Sequence, residues 1–334
     1  MTTEIPKASD LEAQVFGINN EKDFSRIALG VYHFQFANNP LYRAFCEVLG
    51  RTPDKVRNFL QIPYLPISFF KTHAITTTSF QPALTFKSSG TTGANTSSHY
   101  VKDPALYEQS FLQAFRSFFG PVEEFCVIGL LPSYLERGDS SLVYMVDHLI
   151  RKSGHPQSGF YLYNFQALSD TLDLLERSGQ KTVLFGVTFA LLDFARQFPR
   201  KLSHTMVVET GGMKGRQKEL TRSELHTLLR EGLGIDKVYS EYGMTELLSQ
   251  AYGANGLFHC PPWMKIVLRD ETDPLCLLEN QNSTGVINVT DLANLYSCSF
   301  IATDDLGRMG PGQSFEVLGR LDNSDVRGCS QLVS

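Results

Sequence analysis

Cysteine is scarce in this sequence, and no two cysteines lie close together. The 334 residues include only six, at positions 46, 126, 260, 276, 298 and 329, with no Cys-x-x-Cys pair. This spacing excludes a zinc ribbon and the disulfide framework of a small secreted domain. His259 and Cys260 with Cys276 and Cys298 could be imagined as zinc ligands, but they match no compact zinc motif. We therefore expect free thiols, as in a cytoplasmic protein.

Long apolar runs and an excess of positive charge are also missing. No stretch of about 18 apolar residues could span a bilayer, and the polar first ten residues contain no core of signal-peptide length. The net charge of −5, without a basic cluster, argues against non-specific nucleic-acid binding. The 42% hydrophobic and 19% charged fractions are typical of a globular protein with a real core.

The apolar pattern predicts an α/β fold. Residues 11–60 predict helices, and prolines make residues 62–71 extended, because proline disfavours a helix interior. Strands and helices then alternate, which implies a mostly parallel sheet flanked by helices. The strands are expected at 84–86, 97–101, 125–131, 160–163, 182–187, 206–209 and 238–240. The helices are expected from the Asp103 cap to Gly120, at 142–150 and 167–178, from the Thr188 cap to 198, and from the Thr221–Glu224 capping box to about Gly232.

From about residue 256 the pattern changes to short β segments. Strands are expected at 265–268, 285–290, 299–303 and 315–318, and they suggest a smaller β-rich subdomain. The sequence Thr-Asp-Asp-Leu-Gly that begins at residue 303 would by itself also suit a turn.

A loop rich in glycine and hydroxyl side chains follows the first of the alternating strands. Residues 87–93 read Lys-Ser-Ser-Gly-Thr-Thr-Gly, and such a loop can surround an anion with backbone N–H groups. The hydroxyls can donate to phosphate oxygens without adding charge. The candidate phosphate-binding residues are Ser88, Ser89, Gly90, Thr91, Thr92 and Gly93. A flexible surface loop is the alternative.

Three further motifs follow in order. Residues 209–214, Glu-Thr-Gly-Gly-Met-Lys, place Gly211 and Gly212 after a strand, where a flat ring could approach the backbone. Residues 239–246, Tyr-Ser-Glu-Tyr-Gly-Met-Thr-Glu, offer parts suited to a purine and a Mg²⁺-bound phosphate. Residues 303–308 and 319–322 (Gly-Arg-Leu-Asp) provide a carboxylate for ribose hydroxyls and an arginine for charge near the phosphate.

Together, these motifs resemble those of the acyl-adenylate-forming superfamily. The resemblance covers roughly residues 60–330 and implies ATP and Mg²⁺ as cofactors. Residues 88–93 resemble its phosphate loop. Its adenine and magnesium motif is resembled by Tyr242, Gly243, Thr245 and Glu246. By the same resemblance, Asp305 occupies the ribose position and Arg320 lies in the hinge motif. The implied domains are a helical segment packed on the core at 1–80, an α/β nucleotide-binding core at 81–255, and a β-rich subdomain with a C-terminal tail at 256–334.

The resemblance has two departures. No lysine follows Gly93 closely, and the chain stops at Ser334, where the superfamily normally continues into a lid domain with a catalytic lysine. Lys214 is the candidate substitute at the α-phosphate, with a solvated surface lysine as the alternative.

A shorter family, the acyl-protein synthetases of bacterial bioluminescence systems, resembles the chain in length and in residues 62–71. That likeness implies an acyl-accepting cysteine near the C-terminus, here Cys329, which would otherwise be an ordinary thiol. It also implies an acyl reductase as partner protein.

The sequence thus predicts an acid–thiol ligase that adenylates a carboxylic acid, expected to be a fatty acid, and transfers the acyl group to a protein cysteine. Two alternatives remain open. One is transfer to coenzyme A or a carrier protein, and the other is a non-catalytic module that binds a nucleotide or acyl ligand.

Overall fold

The computed structural model describes residues 5–88, 96–131, 138–211, 220–278 and 283–321. The helices are α1 (Ala8–Val15), α2 (Glu21–Asn38), α3 (Pro40–Val48), α4 (Phe69–Thr72), α5 (Pro104–Phe119), α6 (Ser141–Ser153), α7 (Phe165–Ser178), α8 (Thr188–Gln197) and α9 (Arg222–Leu233). The strands are β1 (Leu65–Pro66), β2 (Leu84–Lys87), β3 (Ser98–Val101), β4 (Cys126–Leu130), β5 (Gly159–Phe160), β6 (Thr182–Gly186), β7 (Thr205–Glu209), β8 (Tyr239–Tyr242), β9 (Ala251–Ala254), β10 (Leu257–His259), β11 (Met264–Arg269), β12 (Leu277–Leu278), β13 (Thr284–Asp291), β14 (Phe300–Met309) and β15 (Phe315–Arg320).

The N-terminal helices α1, α2 and α3 pack on the core, but the predicted helical stretch 11–60 was too long, because residues 49–58 are not helical. Asn20 and Asn39 begin α2 and α3, each accepting a hydrogen bond from a backbone N–H three residues later. The proline-containing segment is extended only at its start, where β1 pairs in parallel with β14. Residues 69–72 then form one helical turn, contrary to the expected extended chain, because both prolines precede that turn and leave its backbone N–H groups available.

The α/β prediction is confirmed. Strands β5, β4, β6, β7 and β8 lie side by side in that order and pair in parallel. Every residue of β4 and β6 is buried, as expected for strands covered on both faces. Asp103 caps α5, and Gly120 ends it at a φ of 108°.

Several predicted boundaries were wrong. The expected strand at 160–163 pairs with β4 only at its start, so β5 covers Gly159–Phe160. Val187 is the N-cap of α8, and Thr188 is its first helical residue. The capping box of α9 is confirmed, but this helix continues to Leu233 and ends at Gly234, whose φ of 58° suits glycine.

Antiparallel strands continue the same sheet. In the described residues the order runs from β8 through β9, β10, β15, β14, β13 and β11 to β12. The β9–β10 hairpin was not predicted; it turns at Asn255 and Gly256, which both have positive φ. Residues 303–308 lie within β14 and not in a turn, because β13 and β15 pair with that strand on its two sides.

Among the helices of the described residues, none is both long and apolar enough to cross a membrane.

Candidate active site

The base of the glycine-rich loop is a closed hairpin. Strands β2 and β3 pair antiparallel, with Lys87 opposite Ser98. Beyond that pair the Ser88 N–H donates to the Ser97 carbonyl at 3.1 Å, and the Ser97 N–H donates to Ser88 Oγ at 2.9 Å. Ser88 therefore holds the loop closed at its base. Ser89, Gly90, Thr91, Thr92 and Gly93 lie outside the described residues.

Tyr242, Asp305 and Arg320 form one hydrogen-bonded group. The Tyr242 hydroxyl at the end of β8 donates to Asp305 Oδ2 at 2.9 Å. Arg320 Nε donates to the other oxygen of Asp305, also at 2.9 Å, because β14 and β15 place the two residues directly opposite each other. Asp305 is only 6% exposed, so its buried charge accepts from one buried donor, Tyr242, and one exposed donor, Arg320.

Electrostatics reflect this arrangement. Burial, then the Asp305 charge, raises the pKa of Tyr242 well above its usual value, so the phenol keeps its proton. Burial lowers the pKa of Arg320, but the Asp305 carboxylate outweighs that effect and the net shift is upward. Arg320 is therefore a fixed positive charge at this end of the sheet.

Glu246 lies within the field of that same arginine. Burial raises the pKa of the Glu246 carboxyl, against a hydrogen bond from the Ser97 side chain and the charges of Arg320 and Lys71. Ser97 belongs to the base of the glycine-rich loop, so the structure brings Glu246 beside that loop. Interactions with neighbouring side chains thereby link four residues from separate sequence motifs: Ser88, Glu246, Asp305 and Arg320.

Residues 243–250, which carry Thr245 and Glu246, are held by buried side chains. His99 of β3 donates from Nδ1 to the Thr245 carbonyl at 2.8 Å, and Asn294 Nδ2 donates to the Glu246 carbonyl at 2.7 Å. The Asp291 carboxylate accepts from the backbone N–H groups of Leu248 and Ser249 at 2.7 and 3.0 Å. Sequence analysis did not identify Asn294 and Asp291, whose only signal was a polar residue in an apolar setting.

Gly211 lies at the end of β7, the parallel neighbour of β8. Its N–H donates to Glu209 Oε2 at 2.9 Å, and its φ of 75° favours glycine. Glu209 also approaches Arg222 and His226 of α9 at 3.7 and 3.8 Å. Its pKa is lowered because these donors outweigh burial. Gly212 and Lys214 lie outside the described residues, as does Cys329.

The residues fit Mg²⁺ held mainly by phosphate. In the described part of the chain, no group of three or more His, Cys, Asp or Glu side chains could hold a metal. A nucleotide-bound Mg²⁺ needs only one or two carboxylates, since phosphate and water oxygens complete its shell. Glu246, with the Ser97 hydroxyl beside it, offers one such carboxylate.

Similarity to known proteins is found in the sequence and in the fold. No protein-family model matches the chain. A long-chain-fatty-acid–luciferin-component ligase of Vibrio harveyi is 23% identical over 352 aligned positions, covering 96% of this chain and 90% of that protein.

Two solved structures show the fold. ATP-bound MatB of Rhodopseudomonas palustris matches with a TM-score of 0.53 and 18% identity over 71% of this chain and 47% of its own, so the chain spans about half of that protein. A 2-hydroxyisobutyryl-CoA ligase matches with a TM-score of 0.62 and 10% identity, over 96% of this chain and 73% of its own. The predicted resemblance to the acyl-protein synthetases within the acyl-adenylate-forming superfamily is thus confirmed by a sequence relative and by the fold.

Proposed function

We propose that the protein uses ATP and Mg²⁺ to convert a carboxylic acid into an acyl-adenylate and then transfers the acyl group to a cysteine thiol. A fatty acid is the expected substrate class, which the name of the Vibrio harveyi relative supports. Cys329 is the proposed acceptor.

The observation that carries the proposal is the Tyr242–Asp305–Arg320 group, in which Tyr242 and Asp305 are buried, with Glu246 close to the same arginine. Each carboxylate oxygen of Asp305 has a second lone pair, so the residue can accept two ribose hydroxyls while keeping its present donors. Arg320 would stabilise phosphate charge, and Glu246 would hold Mg²⁺. In this assignment residues 88–93 surround the phosphates, and Gly211 and Gly212 leave space for the purine.

The chemistry follows from the poor electrophilicity of a carboxylate. Its oxygen attacks the α-phosphorus of ATP, pyrophosphate leaves, and Lys214 would stabilise the negative charge that develops there. The thiolate of Cys329 then attacks the acyl carbon, and AMP leaves as the thioester forms. Arg327, two residues from Cys329, would favour the thiolate.

An acyl reductase is the proposed partner, since it would accept the acyl group from the thioester. The words "luciferin-component" in the name of the relative support this partner.

Transfer to coenzyme A is the second candidate. The solved structure with the higher TM-score of the two described above is named a CoA ligase. This candidate keeps the adenylation step and changes only the acceptor.

Intact-protein mass spectrometry after incubation with ATP, Mg²⁺ and a panel of carboxylic acids tests the acceptor. We expect a hydroxylamine-labile acyl adduct that is absent in Cys329→Ser and retained in Cys276→Ser, a change at an exposed thiol. Acid-dependent pyrophosphate release without an adduct would overturn Cys329 as acceptor and favour coenzyme A or a carrier. ATP binding without pyrophosphate release for any acid would favour the non-catalytic module.

A further inference from the structure

A second polar cluster lies across β8 from Asp305. Successive side chains of a strand point to opposite faces, so Glu241 and Tyr242 face different ways. Glu241 pairs in register with Tyr252 of β9. Tyr239, on the same face as Glu241, packs against Phe118 and Phe119 of α5. The Glu241 face is therefore the one covered by α5, among aromatic rings that offer few hydrogen bonds.

Gln250 is the second member of the cluster. It is only 4% exposed, and its Oε1 is buried with no hydrogen-bond partner. Its Nε2 lies 3.5 Å from the Tyr107 hydroxyl, which is long for a hydrogen bond, and that hydroxyl already donates to the Ser141 carbonyl. Turning the amide over would only exchange the unpartnered oxygen for an unpartnered nitrogen.

Gly243 allows the Glu241 carboxyl to approach the backbone closely. A Cβ added to Gly243 would lie 2.3 Å from Glu241 Oε1 and 3.3 Å from Gln250 Cγ. Both side chains therefore border the same side of this glycine. Gly243 directly follows Tyr242, so the two side chains adjoin the proposed nucleotide site.

The Glu241 carboxyl is neutral near pH 7. Burial, with the charge of Glu209 as the smaller cause, raises its pKa to about 8. A neutral carboxyl has one donor and one acceptor oxygen. In the described part of the chain the Glu241 carboxyl makes no hydrogen bond, although the backbone of Glu241 lies in the β8–β9 ladder, so both functions are available to a ligand.

We propose that Glu241 and Gln250 bind a polar group, such as a hydroxyl, carried on the acyl chain of the acid substrate. The assignment rests on the proposed function, because it takes the space beside Gly243 as part of the acid site. Gln250 is buried, and buried polar groups are normally paired. An unsubstituted alkyl chain would leave its amide oxygen without a partner. A site built to hydrogen-bond a substrate hydroxyl rejects the analogue that lacks it far more strongly than an apolar pocket rejects an added methylene.

Matched acids test the proposal. Pyrophosphate release by the full chain with ATP and Mg²⁺ is measured for tetradecanoic acid against its 2-hydroxy and 3-hydroxy forms, and for butanoic acid against 3-hydroxybutanoic acid. We expect at least one hydroxylated acid to exceed its plain partner in kcat/KM by about tenfold or more.

Variants locate that preference. In Glu241→Met and Gln250→Leu we expect the preference to fall to about unity through the KM for the acid, with the KM for ATP unchanged. Glu241→Gln retains a donor and an acceptor and should retain the preference. Glu176→Met is the control, because Glu176 lies at the opposite end of β7, where it accepts from Thr205; melting curves establish that each variant is folded.

The outcomes separate the two proposals. Plain acids that react as well as or better than every hydroxylated partner would overturn the polar subsite while leaving adenylation intact. A change in the KM for ATP in Glu241→Met or Gln250→Leu would overturn it as well, since it would assign the pair to the nucleotide. If no acid led to pyrophosphate release, the proposed function itself would be wrong, and the polar subsite would be overturned together with it.

Discussion

Asp305 is the residue on which the proposed nucleotide site depends. Each of its two carboxylate oxygens accepts a hydrogen bond from a different strand: one from Tyr242 of β8 and one from Arg320 of β15. A carboxylate fixed in this way is already oriented before a ligand arrives, so less ordering remains to be done on binding. The ring of Tyr242 packs edge-on against Phe258 and Phe315, which fixes the position of its hydroxyl.

Tyr242→Phe should weaken ATP binding while leaving the ring in place. The change removes the hydrogen bond to a charged oxygen, which is worth about 1.5–3 kcal/mol, so we expect the Kd for ATP to rise by roughly ten- to a hundredfold. Isothermal titration with ATP and Mg²⁺ measures it. Tyr161→Phe, which removes a hydroxyl bonded to Thr171 far from the site, is the control. Equal ATP affinity in Tyr242→Phe and wild type would contradict the account.

Glu241 gives the protein a specific dependence of stability on pH. Its folded-state pKa is raised to about 8 by burial and by Glu209, against about 4.3 in the unfolded chain. Between these values the folded state binds a proton that the unfolded state has lost. The free energy of unfolding therefore falls as pH rises, by about 1.4 kcal/mol per unit.

Glu241→Gln should remove this dependence, because an amide does not titrate. We expect the stability of the variant relative to wild type to increase from pH 5 to pH 8, as followed by urea unfolding. Glu124→Gln, at an exposed ion pair with Lys181, is the control. A difference from wild type that stays constant over this range would show that Glu241 ionises normally.

At the scale of elements, the β8–β9 connection depends on β3. His99 Nδ1 donates to the Thr245 carbonyl at 2.8 Å, and Nε2 lies 3.0 Å from Asn294 Oδ1. The His99 ring meets Phe70 edge-on. The strand that closes the glycine-rich loop therefore also holds the segment that carries Glu246. Movement of β3 is therefore coupled to the position of the segment that carries Glu246.

His99→Leu should loosen that coupling. The substitution leaves the Thr245 carbonyl without its donor from His99, so we expect a loss of about 1–3 kcal/mol in unfolding free energy and weaker Mg²⁺–ATP binding. Thermal unfolding with and without Mg²⁺–ATP measures both effects. His155→Leu is the control, because the His155 ring accepts a hydrogen bond from the nearby Gln157 N–H. If Mg²⁺–ATP stabilised His99→Leu as much as wild type, His99 would not have a positioning role.

Local signals explain which elements the sequence could predict. The Asp103–Pro104 start and Gly120 end of α5, and the capping box of α9, are short-range chemistry and were predicted correctly. The β9–β10 hairpin was missed, since its strands are too short to show alternation.

The pairing of Asp305 with Arg320 depends on the register of β14 and β15, which no local pattern contains. Glu241 and Gln250 were missed because an unpartnered polar atom is visible only once its neighbours are placed.

For the molecule as a whole, the site lies where the sheet changes character. The parallel strands end with Glu209 and Tyr242, and the first antiparallel pairing begins at β9. The antiparallel strands supply Asp305 and Arg320. In α/β sheets ligands collect beyond the carboxyl ends of parallel strands, and here strands from both parts converge at that position. The candidate site therefore depends on strands from both parts of the sheet.

Acid-dependent exchange of labelled pyrophosphate into ATP is the most direct test of the central claim, because only reversible adenylate formation links the acid to this exchange. The account predicts exchange with at least one carboxylic acid in the presence of Mg²⁺, lowered by about a hundredfold or more in Asp305→Ala as the ribose contacts are lost. A protein that binds ATP but shows no exchange with any acid of the panel would contradict it.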